Sequence, residues 1–223
     1  MKTFLAQHFP ISLEAAPLLK KLKIDADPED EDFQSFSRML DEARSIARPK
    51  FAYGIAAVEE KGTDSVIIEG RTIRSKLVRQ NLDQTHRVFP YIATCGSELD
   101  IWSRAYTDLL ENYWADEIKN RALQLAIMAM RQTVKETYFS GQDLSQMSPG
   151  SLPEWPLPEQ AFLFDLLREE AAAMGVRLTD SFLMVPSKSV SGFYFSSQSH
   201  FENCRLCPMP NCPNRRVPYA QPE

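Results

Sequence analysis

Apolar residues recur at three- and four-residue steps in five parts of the chain, which is the spacing of one face of an α-helix. In the segment that begins near Asp32, for example, Phe33, Phe36, Leu40 and Ala43 keep this spacing. The pattern predicts helices over about 12–22, 32–47, 72–82, 98–138 and 158–174, the fourth as one long helix or a kinked pair. A glycine directly after the last segment, Gly175, is typical of a helix C-cap.

Runs rich in β-branched and aromatic residues separate these helices. FAYGIAAVEE and DSVIIEG predict two antiparallel strands, because Lys61-Gly62-Thr63 between them is a compact turn sequence. Further strands are predicted at 88–95, at SFLMVP and at VSGFYFS, and Pro90 places one end of the first of these at a sheet edge or a bulge. Helices mixed with antiparallel strands predict an α+β fold.

The composition is that of a globular protein in the cytoplasm. Of the 223 residues, 43% are hydrophobic and 25% charged, which is the range of folded domains. A net charge of −5 leaves no broad positive surface, so we expect no nucleic-acid partner. The chain shows neither a signal peptide nor a run of roughly 18 apolar residues, so we expect no membrane partner. We predict a helical extension over 1–30, an α+β domain over 31–200 and a Cys/Pro-rich tail over 201–223.

The tail sequence FENCRLCPMPNCPNRR contains three cysteines in the pattern C-x2-C-x4-C. In a reducing compartment this spacing favours metal binding over disulfides, because several thiolates can converge on one ion or cluster. We predict that Cys204, Cys207 and Cys212 are the ligands. The fourth position is filled by Cys95 or His200, or stays open to a small ligand or a partner.

The identity of the metal is left open by the spacing. An iron–sulfur cluster suits an all-sulfur ligand set, zinc suits the ligand count equally well, and reduced cysteines without a metal are the third alternative. Thiolates create local negative charge, which the nearby Arg205, Arg215 and Arg216 are placed to offset.

A second group of residues suggests a ligand-binding cleft. The stretch SQMSPGSLPEWPLPEQ has four prolines and one glycine, so we expect an irregular loop with backbone groups that can bind a polar ligand. The cleft residues that we predict are Ser148, Pro149 and Gly150 of this loop and Ser189, Ser191, Gly192 and Tyr194 of the later VSGFYFS strand. Phe193 and Phe195 are expected in the core, and Tyr194 on the opposite face is expected to contact the ligand.

The run LTDSFLMVPSKSVSGFYFS, taken with the upstream Ser-Pro-Gly loop and the helix between them, resembles the activation (reactivation) domain of cobalamin-dependent methionine synthase. The S-V-S-G-aromatic stretch is the most specific feature, Thr94-Cys95-Gly96-Ser97-Glu98 is a weaker one, and the similarity covers about residues 30–200. The resemblance implies an α+β domain with a central antiparallel sheet flanked by helices. It also implies binding of S-adenosylmethionine and docking on a corrinoid-bearing domain, whose oxidised cobalamin is reduced and remethylated.

Two positions of the loop depart from that family. The family has an Arg four residues before the glycine and a Tyr directly after it, and both hold the methionine part of the ligand. This chain has Gln146 and Ser151 at those positions. A ligand carboxylate loses its bidentate partner when Arg becomes Gln, which weakens the expectation of S-adenosylmethionine binding.

The resemblance and the cysteine tail together suggest a free-standing accessory protein, a reductive activase. It would reactivate or service a separate corrinoid (vitamin B12) protein, such as a methionine synthase or methyltransferase, which carries the cobalamin. A cluster in the tail would pass one electron to cobalt, supplied by a flavodoxin or ferredoxin-like donor. The alternatives are a non-catalytic, zinc-stabilised binding or scaffold module and an S-adenosylmethionine-binding methyl-transfer partner.

Overall fold

A computed structural model describes residues 1–140, 143–196, 201, 203–210, 215 and 217–220. The strands are β1 (Lys2–Ala6), β2 (Lys50–Lys61), β3 (Ser65–Ile68), β4 (Arg71–Arg74), β5 (Arg87–Thr94), β6 (Leu144–Met147), β7 (Arg177–Leu178), β8 (Met184–Val185) and β9 (Ser189–Ser196). The helices are α1 (Ala15–Leu22), α2 (Glu31–Ile46), α3 (Lys76–Asn81), α4 (Ser97–Ser103), α5 (Leu109–Tyr138), α6 (Gln160–Leu166), α7 (Arg168–Met174) and α8 (Asn203–Leu206).

A seven-stranded antiparallel sheet forms the centre of the protein. Six strands follow the order β4-β3-β2-β5-β9-β6, and β1 pairs with the first half of β2 beside β3. Strands β7 and β8 form a separate two-stranded sheet. The predicted α+β fold with a central antiparallel sheet flanked by helices is confirmed. The last long strand, β9, is an inner strand, since β5 and β6 pair with its two sides.

Helices cover both faces of this sheet, so the strands are buried on both sides. On one face, Phe89 and Tyr91 of β5 pack in a cluster with residues of α1, α2, α4 and α5. On the other face, Val88 of β5 packs with residues of α3 and α6, and Ile92 packs with residues of α7. Because side chains alternate along a strand, β5 places apolar side chains on both faces.

The 30-residue helix α5 is the main element of the first face. The Asp108 side chain caps its start by accepting hydrogen bonds from the backbone N–H groups of Leu110 and Glu111 at 2.9 and 3.1 Å. Since α4 ends at Ser103 and α5 begins at Leu109, the predicted kinked pair over 98–138 is observed as two helices with a short break between them. No helix in the described ranges is both long and apolar enough to cross a membrane.

Four local predictions are wrong, each because long-range pairing overrides a local pattern. The predicted helix over 72–82 is the edge strand β4 followed by the short helix α3. Pro90 lies in a central strand, where pairing between β2 and β5 is interrupted from Tyr53–Tyr91 to Ala56–Val88. The predicted irregular stretch begins with β6. The segment 1–30, predicted as a helical extension, begins with strand β1, which pairs with β2, and continues with helix α1, which packs in the core.

Candidate functional site

The loop that follows β6 has a defined shape. The Gly150 N–H donates to the carbonyl of Trp155 at 2.8 Å, and the Ser151 N–H donates to the carbonyl of Ser148 at 3.3 Å. Gly150 has a φ of +78°, and a Cβ there would lie 2.9 Å from Leu157 Cδ1, so glycine is required on both counts. Several backbone groups that we expected to face a ligand are therefore used within the loop, although Gly150 itself is exposed and Pro149 is buried.

Trp155 anchors this loop to the sheet. Its side chain is 1% exposed and lies 4.8 Å from the ring of Phe193 on β9. Phe193 and Phe195 are fully buried, which confirms their predicted place in the core. Trp155 is not among the predicted site residues. The signal that could have identified it as an anchor is an aromatic residue within a Pro-rich stretch.

Gly192 lies under a small polar cluster rather than in an open cleft. A Cβ at this position would lie 2.4 Å from the Met147 carbonyl oxygen, 2.7 Å from Ser148 Oγ and 2.8 Å from the Tyr91 hydroxyl. Gln146 donates from Nε2 to the same Tyr91 hydroxyl at 3.2 Å. The close approach of β6 to β9 explains the glycine, so its predicted role as a flexible cleft residue is corrected.

The two serines of the S-V-S-G stretch have internal partners. Ser191 is buried and donates from Oγ to Gln160 Oε1 at 3.2 Å, which links β9 to α6. Ser189 donates from Oγ to the Pro186 carbonyl at 2.7 Å, and its Oγ lies 2.9 Å from Thr94 Oγ1. Both hydroxyls satisfy groups inside the fold, and Ser191 in particular is not on a ligand-facing surface.

Tyr194 is fully buried, which corrects the expectation that it lies on an open face. Its ring stacks on that of Tyr91 with centroids 4.5 Å apart, and the Arg131 guanidinium of α5 lies 5.9 Å from the ring centroid. The alternation of β9 was predicted correctly, but α5 covers the second face. Periodicity along one strand cannot show whether a helix covers the other face.

Cys95 directly follows β5 and lies near the start of β9, since Thr94 pairs with Ser189. The thiol is buried and donates to the Gly96 carbonyl at 3.4 Å. Burial raises the pKa of Cys95 to about 12, which opposes the thiolate form that binds metals. The role of Cys95 as a fourth ligand stays a prediction, and the burial of its thiol argues against it.

The described part of the tail faces the Pro/Gly loop, which is the loop that follows β6. The Phe201 ring lies 6.4 Å from that of Phe195. Cys207 and the next three residues form one wall of a groove of about 600 Å³, whose other wall is Gly150–Pro153, Pro156 and Leu157. The tail and the loop, which were predicted as two separate groups, thus face each other across one groove.

Cys204 and Cys207 are half-buried free thiols. Cys212 and His200 lie outside the described residues. Among the residues that the structure does describe, no group of three or more His, Cys, Asp or Glu is arranged to hold a metal ion. The metal site formed by Cys204, Cys207 and Cys212 therefore stays a prediction.

The Arg215 side chain binds the backbone of the tail segment that contains Cys204 and Cys207. Its guanidinium donates to the carbonyl oxygens of Cys204 at 2.7 Å, Cys207 at 3.0 Å and Met209 at 2.6 Å. The predicted role of Arg215 is to offset the charge of the thiolates. In the structure, Arg215 orders the segment 204–209 by binding three of its carbonyl oxygens. Arg205 is exposed, and Arg216 lies outside the described residues.

Comparisons with known proteins agree with the resemblance noted in the sequence. The model of the family described as vitamin B12 dependent methionine synthase, activation domain, matches residues 147–204. A crystal structure of the MetH reactivation domain bound to AdoHcy superposes with a TM-score of 0.63. The chain has the methionine synthase reactivation-domain fold. That reactivation domain is 18% identical in sequence, and the match covers 81% of this chain and 73% of the other.

The matched segment of the reactivation-domain family has a clear place in the structure. It starts at the last residue of β6 and includes the Pro/Gly loop, α6, α7, β9 and the first tail cysteine, Cys204. These are the parts from which the resemblance was inferred, and that resemblance is confirmed. A comparison with curated protein sequences found no match.

Proposed function

We propose that this protein services a separate corrinoid protein and that its tail cysteines hold the redox centre for this task. The observation that carries the proposal is that Cys207 and the Pro/Gly loop line one groove in a protein with the methionine synthase reactivation-domain fold. The loop belongs to the segment that the family model matches. A metal centre on the tail would therefore lie beside the part of the fold that resembles the family most.

The chemistry of the proposed task is the return of one electron to cobalt. Three thiolates from Cys204, Cys207 and Cys212 suit an iron–sulfur cluster, which transfers single electrons. One electron converts the partner's cobalt(II) to cobalt(I), and a flavodoxin or ferredoxin-like donor returns that electron to the centre. The order that Arg215 imposes on the Cys204–Met209 backbone supports this role, because fixed ligands favour a defined site.

The residues present do not fit S-adenosylmethionine in the manner of the family. The stretch 144–160 contains no Lys or Arg that could bind the ligand carboxylate. Gln146, at the family's Arg position, donates to Tyr91 inside the fold. Cys207 and Met209 also line the same groove as Gly150 and Ser151 of the loop. We therefore assign S-adenosylmethionine no step in the proposed task.

Anaerobic purification followed by iron, sulfide and zinc analysis tests the centre directly. We expect iron and sulfide in equal amounts and a broad visible absorption that a reductant bleaches. The double variant Cys204→Ser/Cys207→Ser should lose both the colour and the reduction of a cobalt(II) corrinoid protein. Cys95→Ala is the matched control, since it removes a buried thiol outside the C-x2-C-x4-C pattern. A colourless wild-type protein that still reduces cobalt would contradict the redox role.

A zinc-stabilised binding module is the second candidate function. Its support is the position of the tail across the groove from the loop, which a structural ion would stabilise as well as a redox centre would. Zinc analysis and thermal unfolding separate the two functions. A zinc site predicts one bound zinc per chain and a lower melting temperature for Cys204→Ser/Cys207→Ser. It also predicts that binding to the corrinoid protein does not depend on a reductant.

A further inference from the structure

A second small cavity lies between the tail and the long helix α5, on the side of β6. Its volume is about 180 Å³, enough for several waters or one tetrahedral oxyanion. Three cationic side chains line it, from α5 and from α8: Arg131, Lys135 and Arg205. Among the described residues of the lining, Asp143 is the single acidic one, so positive charge predominates there in a protein whose net charge is −5.

Arg131 is held in place as a donor. Its Nη2 donates to the Leu144 carbonyl at 2.9 Å, and its guanidinium lies 5.9 Å from the Tyr194 ring centroid. The other terminal nitrogen, Nη1, is buried and has no hydrogen-bond partner among the described residues. Buried guanidinium N–H groups are normally satisfied, and Arg131 lines the cavity, so an anion bound there is a candidate acceptor for this group.

Among the described residues, Lys135 and Arg205 add two positive charges to the cavity wall, against one negative charge from Asp143. Neither side chain takes part in an ion pair with another described residue. Arg205 reaches the cavity from the tail, and Phe201 of the tail forms part of the same wall. The cavity therefore exists only while the tail is docked on α5 and β6.

We propose that this cavity binds a phosphate group, either inorganic phosphate or the phosphate of a monoester. A phosphate offers several acceptor oxygens and two negative charges, which match one fixed guanidinium donor and two mobile cations. A wider groove of about 690 Å³ on the Met128 side shares Arg131 and Lys135 with the cavity. This groove gives the organic part of a monoester room outside the cavity.

The site goes beyond the proposed function and has a consequence for the tail. An anion that binds only the docked arrangement stabilises that arrangement in proportion to its occupancy. Phosphate should thus hold the Cys204–Cys207 segment against the Pro/Gly loop. The site needs no metal and no corrinoid, so its test is independent of the redox proposal.

Titration calorimetry on the full chain tests the site, with inorganic phosphate and glycerol phosphate as probes. Ionic strength is matched with chloride, because exposed charges are screened by salt. We expect saturable binding of phosphate, weakened at least about tenfold by Lys135→Gln and by Arg205→Gln. Glycerol phosphate that binds as well as phosphate identifies monoesters as the ligand class, whereas much weaker binding identifies the free anion.

Lys20→Gln is the matched control, since Lys20 is exposed on α1 and away from the cavity. The Lys20→Gln variant should bind phosphate with the same affinity as the wild type. In a second measurement, phosphate should slow trypsin cleavage after Arg205, and Lys135→Gln should abolish this protection. The proposal is overturned if phosphate gives no more heat than chloride, or if Lys20→Gln weakens binding as much as Lys135→Gln does.

Discussion

Arg215 donates from Nη1 to the carbonyl oxygen of Cys204 at 2.7 Å, across eleven positions of the chain. The other terminal nitrogen binds the carbonyls of Cys207 and Met209. One guanidinium thus closes the turn that contains two of the three tail cysteines. Arginine suits this task because its planar group presents several donors in fixed directions.

Replacement of Arg215 by Ala should loosen this turn. We expect amide hydrogen exchange over 204–209 to become at least about tenfold faster, because the three carbonyls lose their shared donor. Arg215→Lys should restore only part of the protection, since a single ammonium cannot reach all three carbonyls in the same geometry. Arg74→Ala, at an exposed arginine of the edge strand β4, is the control and should leave exchange in the tail unchanged.

Gly192→Ala should destabilise the protein by about 2 kcal/mol or more, the upper part of the range for overpacked sites. The added Cβ would lie 2.4 Å from a backbone carbonyl, that of Met147, which cannot move without shifting β6. Gly54→Ala on β2 is the matched control, because the nearest atoms there belong to the flexible side chain of Met1. Thermal and denaturant unfolding measure both. Equal stability of the two variants would contradict this account of Gly192.

Cys95 should be unreactive in the folded protein. Burial raises its pKa to about 12, so the thiol stays protonated at pH 8, and solvent does not reach it. A variant that keeps only Cys95, with the three tail cysteines replaced by Ser, should react with a thiol reagent at the rate of unfolding. Denatured protein is the positive control. Fast labelling of the native variant would show that this part of the fold opens readily.

The same shift in pKa predicts how Cys95 affects stability at alkaline pH. The folded-state pKa is raised above the ordinary value, from 9.0 to about 12. The contribution of the neutral thiol to the free energy of unfolding is therefore complete below pH 9. It is lost between about pH 9 and pH 12, because Cys95 ionises in the unfolded chain before it ionises in the folded protein, which favours unfolding. Denaturant unfolding of the wild type and of Cys95→Ala over this range measures it. The stability difference between them should shift in favour of Cys95→Ala as the pH rises.

Gln146→Arg should introduce affinity for a carboxylate-bearing ligand at the loop. The wild type is expected to give no heat with S-adenosylmethionine, since Gln146 binds Tyr91 and the loop has no cation. An Arg at this position adds a bidentate partner, so we expect affinity to increase at least about tenfold. Gln132→Arg, at an exposed position of α5, is the control. Tight binding by the wild type would show that other groups hold the ligand.

The fold was predicted well where the pattern was local and strong. The helices that became α2 and α5 and the hairpin of β2 and β3 were recognised from spacing and turn residues. Strand β4 and helix α3 were merged, because a four-residue edge strand has too few positions to show its period. Pro90 was assigned to an edge for a sound local reason, yet the sheet tolerates it where the pairing with β2 is interrupted.

The candidate site was predicted less well, since a polar residue beside glycine can serve a ligand or the fold. Ser191 and Gly192 serve the fold, through Gln160 and through the close approach of Met147. Tyr194 was placed on the correct face of its strand, but no local pattern shows that α5 covers that face. The cavity between the tail and α5 was not predicted at all, because its lining comes from α5, β6 and the tail.

The sequence by itself determined the local elements, the resemblance to the reactivation domain and the close spacing of the tail cysteines. These features depend on neighbouring residues, whose chemistry acts over a few positions of the chain. Only the tertiary structure decided that both sheet faces are covered, that Cys95 is buried and that Cys207 faces the Pro/Gly loop across a groove. Burial and contact between distant segments result from packing of the whole chain, which no short pattern encodes.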